Sequence, residues 1–94
     1  MLQIIAGQDL NRTIALSAGL VTIGRSNEAD VRIMSADLSR MHVRVEPTRT
    51  GYRVIDLDSR NGLYLNEVRI HSAELRDGDA LQIGNIQMIY HEGS

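Results

Sequence analysis

Hydrophobic and polar residues alternate with a period of two along much of the chain. Val21 and Ile23 are separated by one polar residue, and so are Val43 and Val45, as in strands that bury one face. Residues that favour turns, such as those at 58–62, separate these runs. The pattern predicts short strands near residues 2–6, 12–16, 20–25, 31–33, 41–46, 51–57, 63–65, 68–70, 80–84 and 86–91.

Short strands separated by turns at this spacing indicate an all-β fold, either an antiparallel sandwich or a barrel. No stretch of eleven or more residues carries the apolar stripe of an amphipathic helix. Residues 71–77 are expected to form one helical turn at most. With 94 residues and only three aromatic side chains, the chain is expected to form a single domain, 1–94, around an aliphatic core.

Composition and charge narrow the chemistry that is available to the chain. Cysteine is absent, which excludes disulfides and thiolate metal sites. All ten cationic residues are arginine, so no lysine is present for a Schiff base or a Walker A loop. The formal net charge of −2 argues against attraction to nucleic acid or to anionic membranes. We expect a cytoplasmic protein, since neither a long apolar stretch nor a basic signal-peptide start is present. We also expect no cofactor.

Three predicted loops carry polar side chains that are suited to binding an anion. Arg25 closes the third predicted strand, Ser39 and Arg40 precede the fifth, and Arg60 and Asn61 lie between the sixth and the seventh. Loops at one end of a sandwich converge on one surface. Guanidinium, hydroxyl and backbone N–H groups donate hydrogen bonds to phosphate or carboxylate. The residues therefore predict an anion site but do not specify the anion.

These loops contain three short motifs in a definite order. Gly-Arg stands at 24–25, Ser-Arg-Met-His at 39–42, and Ser-Arg-Asn-Gly at 59–62, followed by Asn66. Each motif is weak alone, but the ordered set is specific. Further matches at Asp56-Leu57 and from Leu75 to Gly84 extend the pattern over essentially the whole chain. In this order the chain resembles the forkhead-associated (FHA) domain.

The resemblance implies an antiparallel β-sandwich of about eleven short strands that recognises phosphothreonine in other proteins and has no catalytic activity. The expected partner is a threonine-phosphorylated protein, the product of a Ser/Thr kinase, and neither nucleic acid nor a membrane. Domains of this size are often one piece of a longer protein, and residues 91–94 are compatible with a cut end. The oligomeric state, the attached domains and the identity of the partner are left open.

The resemblance also implies a role for individual residues. The expected phosphate ligands are Arg25, Ser39, Arg40 and Arg60, with the hydroxyl of Ser39 and the backbone N–H of Arg40 as donors. Asn61 is expected to bond the backbone of the bound peptide. Gly24, His42 and Gly62 are expected to shape the loops without touching the ligand.

Two further positions bear on the family pattern. Asn66 is followed by Glu67, where the family often has glycine. Because glutamate adopts positive φ poorly, we expect this turn to differ in shape. Asp37 stands two residues before the motif serine, a position that helps to choose the third residue after the phosphothreonine. We expect Asp37 to disfavour an acidic residue there.

A calcium-binding loop is one rival interpretation of the segment 56–67. Asp56, Asp58 and Glu67 fall at positions 1, 3 and 12 of an EF-hand loop. However, Arg60 and Asn61 then occupy positions 5 and 6, where a ligand and an invariant glycine are needed. The predicted flanks are strands, not helices, and we reject this interpretation.

A hydrolase is the second rival, with Ser39 or Ser59 as the nucleophile and His42 as the base. No Gly-x-Ser-x-Gly elbow is present, and nothing in the sequence indicates an oxyanion hole. His71 and His91 lack the spacing of zinc ligands. We therefore expect neither a catalytic residue nor a metal site.

The third alternative is a module of the same fold that binds or oligomerises without phosphate. In that case Arg25 and Ser39 would be remnants of a lost site. The presence of both residues favours phosphate recognition, and this alternative stays open at the level of sequence.

Overall fold

The computed structural model describes residues 1–17 and 19–93, in which every regular element is a strand. The strands are β1 (Leu2–Ala6), β2 (Thr13–Ile14), β3 (Val21–Gly24), β4 (Val31–Arg32), β5 (Val43–Pro47), β6 (Tyr52–Asp56), β7 (Leu63–Leu65), β8 (Val68–Ile70), β9 (Ser72–Glu74), β10 (Ala80–Ile83) and β11 (Ile86–Tyr90). The predicted all-β fold is confirmed. None of the described residues forms a helix long and apolar enough to cross a membrane. Ser94, the last residue of the expected domain, lies outside the described residues.

The strands form the two sheets of a sandwich. One sheet has the order β2-β1-β11-β10-β7-β8 and the other has the order β4-β3-β5-β6-β9. Neighbouring strands are antiparallel, except that β3 and β4 are parallel, with Gly24 beside Arg32. The chain between them returns to the start of β3, where the Thr22 backbone N–H donates to Asp30 Oδ2 at 2.9 Å. As a result, β3 and β4 end at the same end of the sandwich.

Alternate residues of both sheets meet in the predicted aliphatic core. In β11, Ile86, Met88 and Tyr90 are buried, while Gln87 between them is exposed. Burying an aliphatic side chain of this size contributes about 1.5–3 kcal/mol. The largest aliphatic contributions come from Leu2, Ile4, Ile23, Ile33, Val43, Val45, Val54, Leu63, Leu81 and Ile83.

Strand β9 lies in the segment 71–77, where the sequence predicted no strand and one helical turn at most, so this strand was missed. The strand adds to the edge of β6, where Val54 lies opposite Ala73. Backbone bonds continue the pairing at both ends, from Asp56 N–H to the His71 carbonyl at 2.7 Å and from Leu75 N–H to the Tyr52 carbonyl at 2.8 Å. Three residues are too few to display a period of two, so the pairing partner decides their conformation.

The β7–β8 turn was expected to differ in shape because of Glu67, and this expectation is also wrong. Asn66 and Glu67 have φ values of 48° and 72°, the positive values that a type I′ hairpin turn requires at both central residues. The side chain of Asn66 fixes the turn to β10. Its Oδ1 accepts the Ala80 N–H at 2.9 Å, and its Nδ2 donates to Asp79 Oδ1 at 3.0 Å.

Loops from both sheets meet at one end of the sandwich, which we call the loop end. Asn61 Nδ2 in the β6–β7 loop donates to the carbonyl of Asp37 in the β4–β5 loop at 2.7 Å. Ser35 donates to Asn85 Oδ1 at 2.6 Å, and Asn85 in turn donates to Gln8 Oε1 at 2.8 Å. These bonds join four loops into one surface, and most of the residues predicted for the site lie on it.

Candidate functional site

A groove crosses the loop end and is lined by all four residues that the sequence assigned to an anion. The lining consists of Arg25, Ala36, Asp37, Leu38, Ser39, Arg40, Met41, Asp58 and Arg60. Three arginines and one serine hydroxyl therefore converge from the β3–β4, β4–β5 and β6–β7 loops. Asn61 lies outside the groove, at the junction with Asp37.

Gly24 allows the first two of these loops to approach each other. A Cβ atom at this position would lie 2.1 Å from the Arg40 carbonyl oxygen, so no other residue fits without displacing the backbone. The Arg25 N–H donates to the Ser39 carbonyl at 3.1 Å, and the Ser26 N–H donates to the Arg40 carbonyl at 3.0 Å. These contacts place Arg25 directly beside Ser39.

The guanidinium of Arg25 is anchored on one side. Its Nε donates to the Leu38 carbonyl at 3.1 Å, which fixes the plane of the group against the β4–β5 loop. No carboxylate within residues 1–17 and 19–93 lies within 4 Å of it. Both terminal nitrogens are therefore left to donate to an oxyanion, in the bidentate manner that arginine favours.

Ser39 is held by one hydrogen bond that leaves its hydroxyl hydrogen free to donate. Its Oγ accepts the Arg60 backbone N–H at 2.9 Å, and within the described part of the chain the hydroxyl donates to no acceptor. The same holds for the backbone N–H of Arg40, which bonds no carbonyl of the described residues. One hydroxyl and one amide are thus available as donors next to Arg25.

His42 is fully buried beneath these loops and joins two of them. Its Nδ1 accepts the Ser39 backbone N–H at 3.1 Å, and its Nε2 lies 2.8 Å from the Gly62 carbonyl. Because Nδ1 accepts, the proton resides on Nε2 and the ring is neutral. His42 therefore links the Ser39 and Gly62 loops, and neither ring nitrogen bonds a serine hydroxyl of the described residues as a hydrolase would need.

Sequence reasoning missed the role of Ser59, which it treated as part of a motif in an anion-binding loop and as a possible nucleophile. This buried side chain donates to Asp56 Oδ1 and accepts the Gly62 N–H at 2.9 Å, so it closes the β6–β7 loop on itself. Gly62 has a φ of +83°, and an added Cβ would lie 2.7 Å from Arg69 Nε. The signal was the spacing Asp-x-x-Ser-x-x-Gly, in which a short polar side chain bonds nearby backbone.

The calcium-loop frame is not assembled in the structure. Asp56 is engaged by Ser59, whereas Glu67 stands in the β7–β8 turn at the other end of β7. Among residues 1–17 and 19–93, no three His, Cys, Asp or Glu side chains are grouped so as to hold a metal ion.

Comparison with known proteins places these features in a family. A family model for the FHA domain matches residues 21–84. The oxoglutarate dehydrogenase inhibitor of Corynebacterium diphtheriae is 30% identical over 93 residues, which cover 99% of this chain and 65% of that protein. Across the first curated relatives that it matches, the chain spans between 9% and 65% of their lengths. The match to the inhibitor covers nearly the whole of this chain.

Two solved structures share the fold closely. One comes from a structural and functional analysis of phosphothreonine-dependent FHA domain interactions, with 28% identity, a TM-score of 0.89 and coverage of 99% of this chain and 95% of that one. The other is EmbR of Mycobacterium tuberculosis in complex with a low-affinity phosphopeptide, with 32% identity, a TM-score of 0.87 and coverage of 96% and 23%. With the family match across residues 21–84 and this sandwich of eleven strands, the chain belongs to the FHA domain family.

Proposed function

We propose that this domain binds a phosphothreonine-bearing segment of a partner protein in the groove at the loop end. The observation that carries the proposal is the juxtaposition of Arg25 and Ser39 over the buried His42. A guanidinium with two terminal nitrogens to spare and a hydroxyl with a donor to spare face the same groove. The relatives whose structures are described by phosphothreonine-dependent interaction or by a bound phosphopeptide support the same ligand.

The chemistry of the phosphate matches these donors. A phosphothreonine carries about −1.5 to −2 charges at pH 7 and three acceptor oxygens. Arg25 is assigned two of them, and Ser39 Oγ and the Arg40 N–H the remaining contacts, with the Arg60 guanidinium nearby. Charge-assisted bonds contribute about 1.5–3 kcal/mol each. Since association and ordering offset much of the gross total, we expect micromolar affinity, about −8 kcal/mol.

Asn61 is assigned to the backbone of the bound segment. Its Nδ2 is already bonded to the Asp37 carbonyl, whereas its Oδ1 accepts no hydrogen bond from the described residues. A free amide oxygen at the rim of the groove suits a peptide N–H next to the phosphothreonine. In this assignment Asn61 bonds the backbone of the extended peptide, while the arginines bond the phosphate.

The setting of the domain follows from its ligand. Phosphothreonine is the product of Ser/Thr kinases that use ATP, so we infer a kinase-modified partner and a cytoplasmic location. Residues 1–94 are proposed to act as one recognition unit. The curated relatives that it matches are longer than this chain.

Calorimetry with one peptide in three forms tests the proposal: phosphothreonine, phosphoserine and unmodified threonine. We expect binding of the phosphothreonine form, a loss of at least tenfold in Arg25→Ala and Ser39→Ala, and no change in Arg49→Ala at the opposite end of the sandwich. Affinity should also fall between pH 7.5 and pH 5, because the phosphate dianion takes up a proton near pH 6 and loses one of its charges.

The outcome separates phosphate recognition from the phosphate-independent alternative. If no peptide form binds in calorimetry, the phosphate model is wrong. It is also wrong if the Arg25→Ala domain, used as bait in a pulldown, recovers the same cellular partners as the wild type. The same fold would then act as a scaffold that contacts its partners through another surface.

A further inference from the structure

Three arginines form a row that leads away from the groove, and we call Arg25, Arg32 and Arg12 the arginine row. Arg32 Nε donates to the Arg25 carbonyl at 3.1 Å, and Arg12 Nη1 donates to the Arg32 carbonyl at 2.9 Å. All three side chains are exposed. The row thus begins at the proposed phosphate contact and continues past β4 to the β1–β2 loop.

The parallel pairing of β3 and β4 creates this arrangement. Arg32 lies beside Gly24 in the register, so it ends its strand next to Arg25 and at the same end of the sandwich. The bond from Nε holds the Arg32 guanidinium toward the loop end. Its two terminal nitrogens bond no acceptor within the described residues. Arg32 therefore offers a pair of free donors of the same kind as the pair that Arg25 presents to the groove.

Neighbouring carboxylates do not neutralise the first two guanidinium groups of the arginine row. No carboxylate of residues 1–17 and 19–93 lies within 4 Å of the Arg25 or Arg32 guanidinium. Arg12 is paired with Asp9 at 2.9 Å, but both side chains are about 40% exposed, so the pair is weak. Within the groove, by contrast, the acidic residues are Asp37 and Asp58, which belong to the β4–β5 and β6–β7 loops.

We propose that the partner segment carries an acidic side chain close to its phosphothreonine, and that Arg32 recognises it. This inference rests on the proposed function, since the phosphate at Arg25 fixes the segment beside the row. Neighbouring strands are about 4.8 Å apart and an extended peptide advances about 3.3 Å per residue. The acidic residue therefore lies within about three residues of the phosphothreonine, on the side that runs toward β4.

The experiment compares a charged with a neutral residue at each nearby position. A phosphothreonine peptide in an alanine background receives either Glu or the isosteric Gln at each of the three positions on both sides, and binding is measured at low ionic strength. Three proteins are used: the wild type, Arg32→Gln, and Arg49→Gln, which removes the same charge from the opposite end. The alanine-background peptide reports on the proposed function itself.

At one position we expect Glu to bind about two- to fivefold more tightly than Gln, the range for an exposed ion pair. Arg32→Gln should abolish this preference while binding the Gln peptide as the wild type does, and Arg49→Gln should retain it. The inference is overturned if no position prefers Glu, if the preference survives in Arg32→Gln, or if that variant weakens both peptides equally by misplacing Arg25. If the wild type fails to bind the alanine-background phosphothreonine peptide, the proposed function is contradicted, and this inference with it.

Discussion

At the scale of single residues, the site depends on one contact that only glycine allows. The β3–β4 and β4–β5 loops touch where Gly24 faces the Arg40 carbonyl, and the Arg25 and Ser26 amides bond the facing loop on either side of that point. The short distance between Arg25 and Ser39 is therefore a property of the backbone, because the loops would separate if a side chain were inserted.

The corresponding prediction is that Gly24→Ala destabilises the fold. The added methyl meets backbone atoms, which cannot relieve the clash by a change of rotamer. Overpacking of this kind costs about 1–3 kcal/mol. The free energy of unfolding, measured in urea, gives the value. Gly51→Ala is the control, because a Cβ there meets no atom within 4 Å. Equal stability of the two variants would mean that the loops yield without cost.

The positions of site residues were predictable from sequence only where a motif carried them. Arg25, Ser39 and Arg40 line the groove that their motifs implied. The part played by Ser59 was missed although the spacing Asp-x-x-Ser-x-x-Gly signalled it, because this segment was weighed for other kinds of site. Arg32 carried no motif at all, and its position follows from a strand pairing between residues that the sequence does not mark as partners.

At the scale of elements, the β5–β6 turn is tied to β9 by one carboxylate. Thr50 and Thr48 donate their hydroxyls to Glu74 Oε1 at 2.6 and 2.7 Å. These bonds favour the ionised form and hold the pKa of Glu74 below its ordinary value of 4.5. Since the folded-state pKa is the lower one, this contribution to stability is present above the unfolded-state pKa and is lost as pH falls through the folded-state value.

We predict that Thr50→Val raises the pKa of Glu74 toward its ordinary value, because the largest single cause of the shift is removed. The measurement is an NMR titration of the Glu74 carboxyl carbon. Thr13→Val, an exposed substitution in the other sheet, should leave the midpoint unchanged. A Thr50→Val midpoint equal to that of the wild type would show that the hydroxyl bonds do not stabilise the carboxylate.

The same element scale explains which strands sequence reasoning placed well. Segments with a clear period of two, such as β11, were found to within one residue at each end. The strand predicted at 41–46 began two residues too early. Met41 and His42 belong to the β4–β5 loop, and the strand begins at Val43. Strand β9 was missed because its three residues owe their conformation to β6.

At the scale of the whole molecule, the site is assembled before any ligand arrives. His42 and Gly24 fix the loops from below, Asn61 bonds one loop to the next, and Arg25 is anchored through Nε. A site of this kind loses little conformational freedom on binding, so ordering of the loops adds little to the cost of association. Binding is therefore linked to the global stability of the sandwich.

This linkage gives a prediction for the intact domain. A phosphothreonine peptide at 100 times its Kd should stabilise the folded state by about 2.7 kcal/mol. For a domain of this size each kcal/mol raises the unfolding midpoint by about 4–8 °C, so a rise on the order of 10 °C is expected. Scanning calorimetry with and without peptide measures it, and the unmodified threonine peptide should produce no rise. A similar rise in Arg25→Ala would place the binding site away from the groove, because the stabilisation would then not depend on the residue assigned to the phosphate.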